Sequence, residues 1–155
     1  MTPFDFRPRT RVVFGAGEFN RLGEIARELG GNRCLLVADQ GMVATGYAAE
    51  AARSLKARRM EVASFHDFGV SPTGADIESG LMVAKGHNPD IIVGVGGGSS
   101  LDCAKAINIL FSNGGALKDY WGYGKAQKPM LPMVADRKST RLNSSHVALS
   151  RMPSS

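Results

Sequence analysis

Short apolar runs alternate with stretches in which apolar residues return every three or four positions. The runs are Arg11–Phe14 (RVVF), Cys34–Ala38 (CLLVA), Met60–His66 (MEVASFH) and the apolar, β-branched Ile91, Ile92, Val93 and Val95. Each has strand length, and between them lie helical patterns. Phe19, Leu22, Ala26 and Leu29 mark one helix face, closed by Gly30-Gly31, and Ala48, Ala51/Ala52 and Leu55 mark another within Tyr47–Arg59. Ile77, Leu81 and Ala84 set a third, ended by Gly86 and the Asn88-Pro89 pair, and Leu101, Ala104, Ile107 and Leu110/Phe111 a fourth. CLLVA is apolar without interruption, as in a strand covered by helices on both sides. Glu61 and Ser64 interrupt MEVASFH and place it nearer an edge. Pro129–Ala135 leads towards one more strand. The alternation predicts an α/β fold, Rossmann-like, with a mostly parallel sheet and helices on both faces.

One stretch carries the candidate chemistry. Asp90–Lys105, DIIVGVGGGSSLDCAK, runs from strand through Gly96, Gly97 and Gly98 directly into a helix. The first N–H groups of a helix have no internal acceptor, and its dipole places partial positive charge there. Without Cβ atoms, a phosphate reaches the main chain closely. The turn therefore predicts a cradle for the pyrophosphate of a dinucleotide. A structural alternative stands beside it: Ser99–x–x–Asp102 is also a capping-box-like helix start. The stretch is neither G-x-G-x-x-G, since Ser99 stands where the pattern would close, nor a Walker A loop. Ligands of open α/β sheets bind outside the carboxyl ends of the strands. Asp39, the Ser71-Pro72-Thr73 loop and Gly96–Ser99 all fall at such ends. Asp39 suits the adenosine ribose hydroxyls and, by charge, favours NAD over NADP. Equally, it suits a cap or loop turn, in a loop that includes Gly41 and Gly46.

Length and composition narrow the class. At 155 residues, 43% of them hydrophobic, the chain is enough for one globular domain. Cys34 and Cys103 fall in a strand and a helix, as buried thiols rather than a disulfide, which suits a cytoplasmic setting. No apolar run reaches the roughly 20 residues of a membrane span. Of the net charge of +5, residues 136–155 carry +3, leaving +2 scattered over the body, which argues against a nucleic-acid role. Tyr120, Trp121 and Tyr123 cluster in a segment expected to pack a loop onto the domain. Residues 136–155 hold six serines in twenty and no sustained period, the composition of a disordered, basic tail.

GVGGGSSLDCAK resembles the GGGS-x-x-D-x-AK signature of the iron-containing (group III) alcohol dehydrogenases. The opening RVVFGAGEFNRLGE, VADQGM around Asp39 and the late KPMLPMVA agree with it, so that the resemblance covers about Phe4–Ala135. It implies the dinucleotide-binding part of an enzyme that passes hydride between an alcohol and an aldehyde or ketone and NAD. Gly97, Gly98 and Ser99 match pyrophosphate positions, Gly96 falls with them among the cofactor-binding residues, and Asp102 matches the signature aspartate facing the nicotinamide. Ser71 falls in a loop reading VSPT where relatives have a PNPT-like cofactor contact. The family uses Fe2+ or Zn2+, held by an aspartate and three histidines of a helical C-terminal domain. That domain is expected to be absent here, and His66, His87 and His146 lack ligand spacing, so no metal-binding or catalytic residue is assigned.

The resemblance divides the chain into residues 1–135, a truncated dinucleotide-binding domain, and 136–155, expected to be foreign sequence because relatives continue at Asp136 with a PTTAGTGSE-like loop. The chain alone is expected to be inactive. The partners implied are a dinucleotide and, in the full-length enzyme, a small alcohol or aldehyde, with no nucleic acid and no membrane; a homodimer stays open. Glycerol dehydrogenase, maleylacetate reductase and dehydroquinate synthase share the architecture. A non-catalytic nucleotide- or phosphate-binding domain is the alternative from another class.

Overall fold

The computed structural model describes residues 10–120, 125–139 and 142–150. Trp121 and Tyr123 of the aromatic cluster, and Phe4 at the start of the family resemblance, lie outside them. β1 (Thr10–Gly15) leads through a 3-10 turn (Glu18–Arg21) into α1 (Leu22–Glu28), β2 (Arg33–Ala38), α2 (Gln40–Ala44) and α3 (Tyr47–Ala57). Then come β3 (Glu61–Phe65), α4 (Gly74–His87), β4 (Ile91–Gly96) and α5 (Gly98–Asn113). A second 3-10 turn (Leu117–Tyr120) precedes β5 (Met133–Ser139) and β6 (Leu142–Ser150).

The six strands form one sheet in the order β1-β6-β5-β4-β2-β3. β5, β4, β2 and β3 run parallel, and β6 pairs antiparallel with both β5 and β1. Because strand side chains alternate, β2 feeds two cores. Cys34, Leu36 and Ala38 pack with Ile91, Val93 and Val95 of β4 beneath α1 and α3. Leu35 and Val37 pack with Ile92 against α4 and α5. CLLVA is thus buried on both faces, and β3 is the edge strand that its polar interruptions predict.

One local expectation is corrected. A loop was expected after Asp39, but α2 stands there. The Asp39 side chain caps it, accepting a hydrogen bond from the Met42 amide at 2.9 Å. From Asp136 onward the backbone runs as strand through residues 136–139 and 142–150. Main-chain pairing depends little on composition when a partner edge is at hand, and β5 and β1 each offer an edge of unpaired N–H and C=O groups. Buried Asp136 also pairs with Lys138 at 3.1 Å, and the ammonium sits 3.8 Å from the Phe19 ring centroid.

The approach to β5 is fixed by a buried amide. Asn108 on α5 donates to the Leu131 carbonyl at 2.9 Å and accepts from the Leu131 N–H at 3.0 Å. At the same, amino end of the parallel strands the Asp90 carboxylate accepts from the amides of Asn32 and Arg33, joining the starts of β2 and β4.

Candidate functional site

The strand order sets where a ligand crevice lies. From β2 the chain passes through α2 and α3 to one face of the sheet, and from the adjacent, parallel β4 through α5 to the other. Neighbouring strands whose connections leave towards opposite faces open a crevice at their carboxyl ends. Asp39 follows β2 directly, and Gly97 follows β4.

The two strand ends are tied together. The Asp39 N–H donates to Ser100 Oγ at 3.0 Å, and Ser100 Oγ donates to Asp39 Oδ2 at 2.8 Å. Asp39 Oδ1 is the oxygen that caps α2. Each carboxylate oxygen has two lone pairs and spends one on these bonds, which leaves the carboxylate able to accept two more. Asp39 is therefore the cap that sequence offered as one of its two roles, with acceptor capacity left over. Gln40 Nε2 donates to the His66 carbonyl at 2.7 Å, bringing the end of β3 to the same rim.

The glycines divide into two kinds. Gly96 has φ +138°, a conformation side-chain-bearing residues rarely adopt, and a Cβ there would lie 2.5 Å from Ser100 Oγ and 2.8 Å from Asp39 Oδ2. Around Gly97 and Gly98 a Cβ would meet nothing within 4 Å, so their backbone faces open space. Gly97 occupies the N-cap position of α5, and no side chain caps that end. The neighbouring α4 is closed by its own capping box, Thr73 with Asp76. Uncapped amides and an aligned dipole over 16 residues leave α5 suited to an anion.

Ser99 and Asp102 do not form the capping box that was the structural alternative. Both lie inside α5, and Ser99 Oγ donates to the Val70 carbonyl, pinning the loop after β3 to the glycine turn. Ser99, Asp102, Cys103 and Ala106, at helical spacing, line a cavity of about 430 Å³ with Val70, Ser71, Pro72, Ile77, Gly98 and Leu117. Such a volume accommodates a small organic group. The structure thus brings Ser71, Gly98, Ser99 and Asp102 to one cavity, with Asp39 and Gly96 beside it across the β2–β4 crevice. Burial, and then the charge of Asp76, push the Cys103 thiol up to about 12, so this cavity-lining sulfur stays protonated.

Residues 8–135 match the family of iron-containing alcohol dehydrogenases. The chain belongs to that family. NAD-dependent methanol dehydrogenase of Bacillus methanolicus is 35% identical over 135 residues, 87% of this chain and 35% of that protein. Among solved structures, 1,3-propanediol oxidoreductase superposes with a TM-score of 0.77 at 34% identity, covering 81% of this chain and 33% of that one. Sulfoacetaldehyde reductase from Bifidobacterium kashiwanohense, solved in complex with NAD+, superposes with a TM-score of 0.70 at 26% identity, covering 87% and 36%. The chain thus spans about a third of the length of these relatives and corresponds to their N-terminal, nucleotide-binding part.

For this member of the iron-containing alcohol dehydrogenase family, no three His, Cys, Asp or Glu side chains come together as a metal-binding group among the described residues. The described residues thus form no site for the family's metal. Among the described residues, no helix is long and apolar enough to cross a membrane.

Sequence reasoning passed over Ser100, which fills a variable position of the signature. Its signal was a polar residue on an apolar stripe, since Cys103, Ala104 and Ile107 follow it at helical spacing and all are buried.

Proposed function

We propose that this chain carries the dinucleotide-binding site of an NAD-dependent iron-containing alcohol dehydrogenase. Gly97 and Gly98 offer main-chain amides to the pyrophosphate, with the Ser99 hydroxyl beside them. Asp39 accepts from the adenosine ribose hydroxyls, while Ser71 and Asp102 face the nicotinamide side from the cavity. A bound nicotinamide would supply the hydride acceptor for the alcohol carbon. The chain's own residues position it, and its unaided 155 residues are proposed to bind nucleotide without turning over an alcohol. Residues 136–155 are proposed to be foreign to the binding unit, since the family match ends at Ala135.

One observation carries this reading: Asp39 and the open glycines meet at the β2–β4 crevice, where the chain leaves for opposite faces of the sheet. The test is titration of the purified chain with NADH, followed by nucleotide fluorescence. Asp39→Ala is expected to weaken binding about ten- to a hundredfold, the worth of a charge-assisted hydrogen bond of about 1.5–3 kcal/mol. Gly97→Val places a side chain in open space at an ordinary backbone conformation (φ −87°), so it should fold as wild type yet lose binding. Full NADH affinity in Gly97→Val would remove the pyrophosphate from this turn.

A further inference from the structure

We propose that Ser100 is the positioning residue that sets nucleotide choice, by holding Asp39 at a fixed place on the crevice rim. The proposal rests on the reading of Asp39 as the ribose acceptor. Ser100 is fully buried in the first turn of α5, and its hydroxyl is engaged twice by one residue. It accepts from the Asp39 amide and donates to the Asp39 carboxylate, so the backbone and the side chain of Asp39 are both restrained from one point. With Met42 N–H on the other oxygen, the carboxylate is held at both ends.

Gly96 belongs to the same device. A Cβ at this residue would collide with Ser100 Oγ and Asp39 Oδ2, so its missing side chain makes room for the link. The first glycine of the signature then serves the carboxylate, and the next two serve the phosphate. A negative charge rejects a 2′-phosphate well only when it cannot swing away, because repulsion between charges falls with distance and with exposure to water. Removing the hydroxyl at position 100 frees Oδ2 to rotate outward. NADH then loses a pre-placed acceptor, and NADPH loses the charge that opposes it.

The test is a double-mutant cycle on the full chain, with NADH and NADPH titrated against the same preparations of wild type, Ser100→Ala, Asp39→Ala and the double variant. Ser100→Ala is expected to weaken NADH five- to tenfold, leave NADPH unchanged or tighter, and so lower the preference for NADH by at least that factor. In the Asp39→Ala background it should change neither nucleotide. Ser100→Thr, which keeps the hydroxyl, should restore the preference. A partly unfolded sample loses capacity for both nucleotides alike, so the ratio stays informative. Equal weakening of both nucleotides by Ser100→Ala, or further loss of NADH in the double variant, would reduce Ser100 to a packing role. If Asp39→Ala shifts the preference and Ser100→Ala does not, only the positioning role falls. If Asp39→Ala changes nothing, the ribose reading falls with it.

Discussion

Cys103 shows how a side chain can line a cavity and still be chemically quiet. Its sulfur borders the same space as Ser99 and Asp102, but burial strips the thiolate of water and Asp76 opposes its charge, raising its titration from 9.0 to about 12. Cys34, enclosed in β2, is shifted in the same direction, first by burial and then by Asp90. The linkage has a definite sign. Below pH 9 both folded and unfolded thiols are protonated and the stabilising contribution is full. Between pH 9 and 12 the unfolded chain releases protons that the folded chain keeps, so stability falls as pH rises. Urea midpoints at pH 8 and pH 11 should therefore differ less in Cys103→Ala than in wild type. An identical alkaline loss in the two proteins would show that this thiol is not the group responsible.

The contact between α1 and α3 depends on one missing side chain. The Gly23 amide donates to Ser54 Oγ at 3.0 Å, and a Cβ on Gly23 would sit 2.1 Å from the Ser54 carbonyl oxygen. That oxygen belongs to helix backbone and cannot rotate aside, so Gly23→Ala must part the two helices above the core that Leu22, Ile25, Ala51 and Leu55 fill. Overpacking of this kind costs about 1–3 kcal/mol. The expected outcome is a lower thermal midpoint with NADH affinity retained per folded molecule, because the Asp39–Ser100 link lies at the end of the sheet. A midpoint equal to wild type would mean that the helices separate freely. α4 needs no such closeness at its start, where Thr73 and Asp76 satisfy the end amides locally.

For the molecule as a whole, the question is what β6 contributes. It lies between β1 and β5, so β1 reaches the sheet only through residues beyond the family match. Residues 133–135 of β5 pair with Ile92, Val93 and Gly94 whether or not β6 is present. A chain ending at Ala135 should therefore keep the four-stranded parallel unit, the crevice and NADH binding within about threefold, while β1 loses its ladder and Thr10–Gly15 becomes the first site of proteolysis. Val12 and Phe14, each 66% exposed on β1, would then lose their support. Loss of NADH binding on truncation would show that β6 is part of the binding unit rather than an addition to it.

Local patterns were enough for the parallel strands and their helices. The unbroken CLLVA run dictates a doubly covered strand, and polar Glu61 and Ser64 an edge, because burial follows hydrophobicity residue by residue. The signature likewise carries Ser99 and Asp102 on one helical face, since their spacing alone fixes that. α2 escaped because its start depends on a side-chain cap from Asp39, a residue that reads as turn or ligand with equal ease. The β6 pairing escaped because it is made by main chain, with neighbouring β5 and with β1 far away in sequence, where side-chain pattern gives no signal. Most of all, the different surroundings of Gly96 and of Gly97 and Gly98 were decided by tertiary structure. Three identical residues in a row have the same local propensity, and only the approach of Asp39 and Ser100, 61 positions apart, fills the space beside the first and leaves it open beside the others.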